Sequence, residues 1–501
     1  MRLMRSIMWK GVLVITVVLF VIQLEVKAKT VSNLVKTSSK VAFKNNDKET
    51  KVNSYQISTS GSDGNNEIGL VAVDSTQVSS GTSTIMASIF NLAKTILGAG
   101  VLSLPFGVAS FSDKPSALYL ASFLLVLMGA TSAYSFSSIA HACQLHGVTT
   151  FSEAWAKSVS PRSACLISFI ITFKTFFACL AYSIIIGDSF SQILSSLRLP
   201  GPLASRNSVI VGLSSLVVLP LCCLRKLDAL KYTSILGLLG TLYCAAFMGL
   251  RLWDGSYREG GRFFAQMASN LRPSFNQRAA SPADLQLVFV LLSMISTAYV
   301  AHYNAPKFLA ELRRPTMRRF NTVVGLSFGF AALVYLSVMT IGFLSFGGHA
   351  TGFVLNNYAS SDLLATAARV AVGGGILCGY PLTFTALRDG FLDLLQLPAA
   401  QRQRAYYPAT LGLLGAVTAV ALRTRNVGAV VSLSGALIGS LLIYIIPACL
   451  NLANIPRSNQ YSRAQQRLLL LVNAVIAIAG AAISIVGVYI NLVQNSGAAG
   501  H

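Results

Sequence analysis

From about residue 82 onward, long apolar runs alternate with short polar, mostly basic segments. Eleven of these runs are long enough to cross a bilayer as helices, which takes about 20 residues. They cover about Ile85–Phe111, Ala117–Ala140, Ala164–Leu194, Val209–Leu224, Leu230–Leu252, Leu285–Leu312, Thr322–Phe346, Leu363–Leu387, Tyr407–Leu422, Val427–Leu450 and Leu468–Val493. The pattern predicts an all-α integral membrane protein occupying residues 84–496. Residues 1–28 read differently: Arg2, Arg5 and Lys10 precede a short apolar stretch, Val12–Leu24, and Val26-Lys27-Ala28 resembles a cleavage site. That is the layout of a signal-like targeting segment. Residues 29–83 are polar and nearly free of aromatics, so they form an expected disordered tail.

Two spans break the rules of an ordinary membrane helix. The first carries Lys94 about halfway along, then Gly98-Ala99-Gly100 and Pro105. Small residues there barely resist unwinding. The sixth holds Ser296-Thr297-Ala298-Tyr299, then His302 and Pro306, and proline cannot donate to the helix ladder. An interrupted helix exposes backbone groups that only protein or a bound solute can satisfy. Broken spans five helices apart suit two inverted five-helix repeats with a site between them. Free N–H groups near Thr95, Gly98, Ala99, Gly100 and Val101 would receive a carboxylate at a positive helix end. Carbonyls around Ser296, Thr297, Ala298 and Tyr299 would accept from an ammonium group. Donors facing acceptors a few ångströms apart match a zwitterion, so the expected substrate is an amino acid or something shaped like one. A glycine-rich helix that merely packs closely on a neighbour is the competing reading.

Composition narrows the class. Hydrophobic residues make up 53% of the chain and charged residues 11%, against about 25% charged in soluble domains. A net charge of +22 would suggest nucleic acid if it clustered on one exposed face. Here the basic residues sit between apolar runs, so the partner is the lipid bilayer. With the start of the first span in the cytoplasm, the inner short loops hold sixteen Lys and Arg and the outer ones five. The positive-inside rule then places the tail in the cytoplasm, at the plasma membrane or an endomembrane. The eight cysteines show no metal-ligand spacing. No paired carboxylates or nucleophile–base set appears, so neither an enzyme, a cofactor nor a metal is expected.

The stretch Asn91–Pro105 resembles the first-helix signature of the amino acid/auxin permease family. Arg225–Ser234, Tyr299–Pro306 with Glu311-Leu312, and Tyr380-Pro381 with Arg388 are similar to its sodium-coupled neutral amino acid transporter branch. The resemblance spans about Thr82–Val493. It implies eleven transmembrane helices, two inverted repeats with broken helices 1 and 6 (a LeuT-like fold), and symport of neutral amino acids by alternating access. Lys94 departs from the family, standing where sodium-coupled members typically have an ion-holding asparagine. So does Gly373–Gly379, where those members carry hydroxyl residues. The Arg251–Ala283 loop also lacks the cysteines for a disulfide found in some relatives.

Those departures predict sodium-independent transport. Lys94 lies about 16 Å into the span at 1.5 Å per residue, near the midplane of a core about 30 Å thick. It must face a polar cavity, pair with another group, or release its proton. Its ammonium can therefore replace sodium, with protons as the coupling ion, or remain permanently charged against backbone carbonyls. His302 is either a proton relay or a packed, hydrogen-bonded side chain. Lys174 and Arg369 are further intramembrane cations in need of partners, and Asp188 is assigned to neither. A membrane sensor binding the same ligand through the same site is the alternative function.

Overall fold

The computed structural model describes residues 81–197, 201–224, 230–275, 286–458 and 461–497. The targeting segment, the polar tail as far as residue 80 and the Arg225–Ala229 part of the family-like motif lie outside them. The first span is broken into α1 (Ile85–Ile96), a 3-10 turn (Ala99–Ser103) and α2 (Leu104–Phe111). The two halves are bent by 44°. Next come α3 (Ala117–His146), the short α4 (Phe151–Ser158) and α5 (Ala164–Ser196). The fourth span joins α6 (Arg206–Leu213) to α7 (Leu219–Cys223) through a π-turn at Ser214–Val218, and α8 (Leu230–Trp253) is the fifth.

The sixth span repeats the broken plan as α9 (Val288–Tyr299), a 3-10 turn (His302–Asn304) and α10 (Ala305–Glu311). After it run α11 (Met317–Phe346), α12 (Leu363–Leu394) and α13 (Ala399–Arg423). The tenth span is α14 (Val427–Ser434) and α15 (Ile446–Asn454) with π-turns between them, and α16 (Arg463–Gly497) is last. Among the described residues nine helices are long and apolar enough to cross a membrane, ten if the bent first pair is one span. The fifth span, α8, is 24 residues long and matches the run that the sequence predicts. The all-α membrane architecture stands.

The tenth span is the axis of the bundle. Its most apolar window is 89% buried, against 22% for the last span. Burial on every side explains why it carries hydrophobic residues all round rather than along one stripe. Gly435 lets it approach α9: a methyl group there would lie 1.7 Å from the Ser293 carbonyl oxygen. Thr297 Oγ1 then donates to the Val431 carbonyl at 2.6 Å, locking α9 to α14.

Two backbone ties pin opposite ends of the molecule. Ser83 pairs with the end of the sixth span: its N–H donates to Glu311 O at 3.0 Å, and its carbonyl accepts from Arg313 N at 2.9 Å. The start of the first broken span and the end of the second therefore share one face. On the other face, Ser274 donates to Phe346 O at 3.1 Å and accepts from Gly348 N at 2.9 Å. Gly347 has φ +58 there, and a Cβ would stand 1.9 Å from Ser274 O. Only glycine fits this turn. On the Ser83 face, α4 is capped by Thr150 Oγ1, which accepts from Glu153 N. Its buried Trp155 donates to Ser163 Oγ at 3.0 Å and joins α4 to the start of α5.

Gly435→Ala should destabilise the bundle by about 1–3 kcal/mol or more, because backbone rather than a flexible side chain meets the new methyl. Gly412→Ala, with nothing within 4 Å, should be silent. Thermal unfolding of the two purified variants in detergent checks this. Equal midpoints would show that the α9–α14 approach is not tight.

Candidate functional site

The two breaks lie side by side. In the first span, Leu97 (φ -72, ψ 73) makes an inverse γ-turn in which Gly98 N donates to Ile96 O at 2.7 Å. Gly98 is extended, and Val101 N then donates to Gly98 O at 3.4 Å. Ala99 and Gly100 open the 3-10 turn, where helix geometry offers their N–H groups no acceptor within it. In the sixth span, α9 ends at Tyr299, Val300 turns extended, and Pro306 opens α10, where its missing N–H costs nothing. A Cβ built on Gly100 would stand 3.9 Å from Ala298 Cα, so the breaks touch.

One side chain bridges them. Tyr335 of α11 is fully buried, and its hydroxyl oxygen lies 2.7 Å from the Ile96 carbonyl and 2.8 Å from that of Ala298. Its single proton is shared between a carbonyl from each broken helix. The ring of Tyr299 meets Tyr335 edge-on and stacks on Phe328.

The residues singled out from sequence divide accordingly. Gly98, Gly100, Val101 and Ala298 gather at the paired breaks, with Ala99 between them in the chain. Val101 itself is buried. Thr95 is exposed and turns its hydroxyl back to the Asn91 carbonyl of its own helix. Ser296 likewise donates to Leu292 O, and Thr297 is committed to Val431. The Tyr299 backbone is at the break, but its phenol packs against Gly129, where a Cβ would come within 2.7 Å of Oη. His302 is fully buried, with Nε2 3.0 Å from the Ser132 carbonyl and its ring edge-on to Phe136. Facing a carbonyl, Nε2 carries the proton.

The cations find different partners. Lys94 is half-buried and makes no hydrogen bond or ion pair among the described residues. Lys174 donates to Tyr303 Oη at 3.2 Å. Arg369, buried, donates to the carbonyls of Leu355 and Tyr358 at 2.9 and 2.6 Å. Asp188 belongs to another group: it pairs with Arg206 at 2.7 Å and accepts from Asn356 at 3.0 Å. On the same side as Ser274, Arg251 grips Asp362 with two bonds of 2.7 and 2.9 Å, and Tyr257 donates to the same carboxylate. Burial and that carboxylate push the Tyr257 phenol above its ordinary range. Among the described residues no group of His, Cys, Asp and Glu could hold a metal ion. In the eighth span Gly373 has a packing reason, since a Cβ there would lie 2.9 Å from the Phe190 ring.

Two membrane helices broken side by side and held together by a buried hydroxyl set this membrane protein apart from a plain helical bundle. The chain belongs to the family described as "Transmembrane amino acid transporter protein", whose model matches residues 81–490. A Danio rerio relative provisionally named sodium-coupled neutral amino acid transporter 11 is 25% identical, over 81% of this chain and 86% of its own. Vacuolar amino acid transporter 5 of Schizosaccharomyces pombe is 26% identical over 74% of this chain and 84% of its own. Among solved structures, MhsT in complex with L-phenylalanine aligns with TM-score 0.45 and 14% identity, over 83% of this chain and 99% of that one.

Tyr335 was not legible as a site residue. Its signal is faint: one hydroxyl inside an apolar helix, where a buried tyrosine needs a polar partner. Tyr335→Phe keeps the ring but removes the shared proton; Ile96 O keeps the Gly98 N–H while Ala298 O loses its hydroxyl partner, so stability should fall by about 1–3 kcal/mol. Thermal unfolding in detergent checks this, and an unchanged midpoint would remove Tyr335 from its bridging role.

Proposed function

We propose that the chain is a secondary transporter that carries amino acids across a membrane by alternating access, without sodium, and with protons as the coupling ion. The observation that carries this reading is the pair of adjacent helix breaks bridged by Tyr335. The N–H groups of Ala99 and Gly100 receive the substrate carboxylate. The Ala298 carbonyl takes its ammonium group, using the acceptor capacity that one shared proton leaves open. Neutral amino acids are the proposed substrates, in keeping with the name of the Danio rerio relative. The vacuolar name of the Schizosaccharomyces pombe relative supports an endomembrane as the host. The tail before residue 84 is cytoplasmic, with the Ser83 face inward, because the short loops on that side carry most of the Lys and Arg.

Lys94 is the proposed coupling group. It is a half-buried cation without a partner among the described residues, at the position where the family resemblance implies an ion-holding asparagine in sodium-coupled members. A charge left so deep in a membrane protein needs a wet cavity or a change of protonation during the cycle. His302, fully buried and engaged with Ser132, plays the smaller part of fixing the sixth span to α3.

Purified protein in proteoliposomes should take up a neutral amino acid with no sodium gradient, and faster with an inward proton gradient. Lys94→Ala should lose that pH dependence. Uptake that requires sodium, or that stays pH-dependent in Lys94→Ala, would refute the coupling scheme. A protein that binds amino acids without uptake would instead be a sensor.

Gly100→Val should abolish uptake while membrane insertion stays intact. The fold itself has room for a Cβ at Gly100, whose nearest neighbour would be 3.9 Å away. Gly100→Ala should therefore remain folded, so any loss in the valine variant reports on the solute. Normal uptake by Gly100→Val would move the site elsewhere.

A further inference from the structure

The charge on Lys174 is unexplained by the fold. It stands ten residues into α5, about 15 Å from the helix start, too deep for the easy escape open to lysines at helix ends. Its ammonium is directed at the second break: Nζ lies 3.2 Å from Tyr303 Oη and 4.8 Å from the Tyr303 ring centre. Tyr303 belongs to the 3-10 turn that follows Tyr299 in the sixth span. Both side chains are half-buried, so each keeps open surface.

No carboxylate balances this cation among the described residues. The other groups acting on it are the Tyr182 phenol and the Cys179 thiol, from its own helix. Asp188 lies on the same helix about 21 Å further along, and it is engaged with Arg206 and Asn356. A neutral phenol orients an ammonium group but does not cancel its charge. The positive field at this end of the break is therefore a standing property of the site. Like-charge juxtaposition in a poorly screened interior is a strong means of rejecting a wrong partner.

We propose that Lys174, positioned by Tyr303, sets the charge selectivity of the substrate site by excluding amino acids with cationic side chains and admitting neutral and acidic ones. This rests on the substrate site proposed above. The substrate's own carboxylate is held at Ala99 and Gly100, which leaves its side chain as the part that meets the Lys174 field.

The test uses pairs of ligands that match in shape and differ in charge: L-lysine against L-norleucine, and L-glutamate against L-glutamine. Competition for uptake in proteoliposomes is measured beside thermal stabilisation of the full-length protein in detergent. The wild type should prefer norleucine to lysine by at least tenfold, and K174Q should bring that ratio down at least fivefold. K174R should keep it. The glutamate-to-glutamine ratio should fall in K174Q alone. A wild type that takes lysine as well as norleucine overturns the proposal, as does a K174Q variant that binds norleucine with unchanged discrimination. Should K174Q bind nothing, K174R decides: continued exclusion of lysine upholds the charge role, and acceptance of lysine overturns it. Failure of the underlying site looks different, since no amino acid would then move or stabilise the wild type.

Discussion

The structure depends on one shared proton. Breaking a membrane helix frees carbonyls where water is scarce, and an unsatisfied backbone group there costs several kcal/mol. Two such breaks in contact would repel each other, because carbonyl oxygens from both helices face the same small volume. The Tyr335 hydroxyl removes the conflict by standing between Ile96 O and Ala298 O. It is supplied by α11, an unbroken helix, so a rigid element fixes the separation of two irregular ones. Beside that bridge Gly100 meets Ala298 and Tyr299 stacks on Phe328 of the same α11.

Much of the fold was written along the chain. Apolar runs separated by basic loops give membrane helices directly, because the bilayer leaves the backbone few choices. The two breaks were also legible, since Gly98-Ala99-Gly100 and Pro306 are local signals that need no knowledge of the neighbours. The fifth span was legible as well, since α8 covers Leu230–Trp253, within a residue of the run read from sequence.

The site was legible only as backbone. Gly98, Gly100 and Ala298 stand at the breaks through main-chain geometry, so their position in the chain is enough to mark them. Side chains were harder, because hydrogen-bond partners are chosen in three dimensions. Thr95 and Ser296 turn their hydroxyls into their own helices, as Ser and Thr do when no better acceptor is near. Thr297 instead reaches across to Val431, and no local pattern separates these outcomes. Lys174 stood out as a charge in an apolar run, but its phenol partner lies 129 positions away. Tyr335 had no distinguishing neighbour in sequence at all.

The bridging hydroxyl also has a consequence for how the protein is made. Tyr335 follows Ile96 by 239 positions. At about 5–20 residues per second of synthesis, roughly ten to fifty seconds separate the two at the ribosome. Through that interval the first span must sit in or beside the membrane with its break unbridged and the Lys94 charge without its final surroundings. The Ser83 tie is delayed almost as long, because Glu311 and Arg313 are still unmade. The first span is thus completed by residues that arrive after five others have emerged, and its assembly is post-insertional. The burden of the nascent chain falls on whatever shelters that one helix, water or insertion machinery, until α11 arrives.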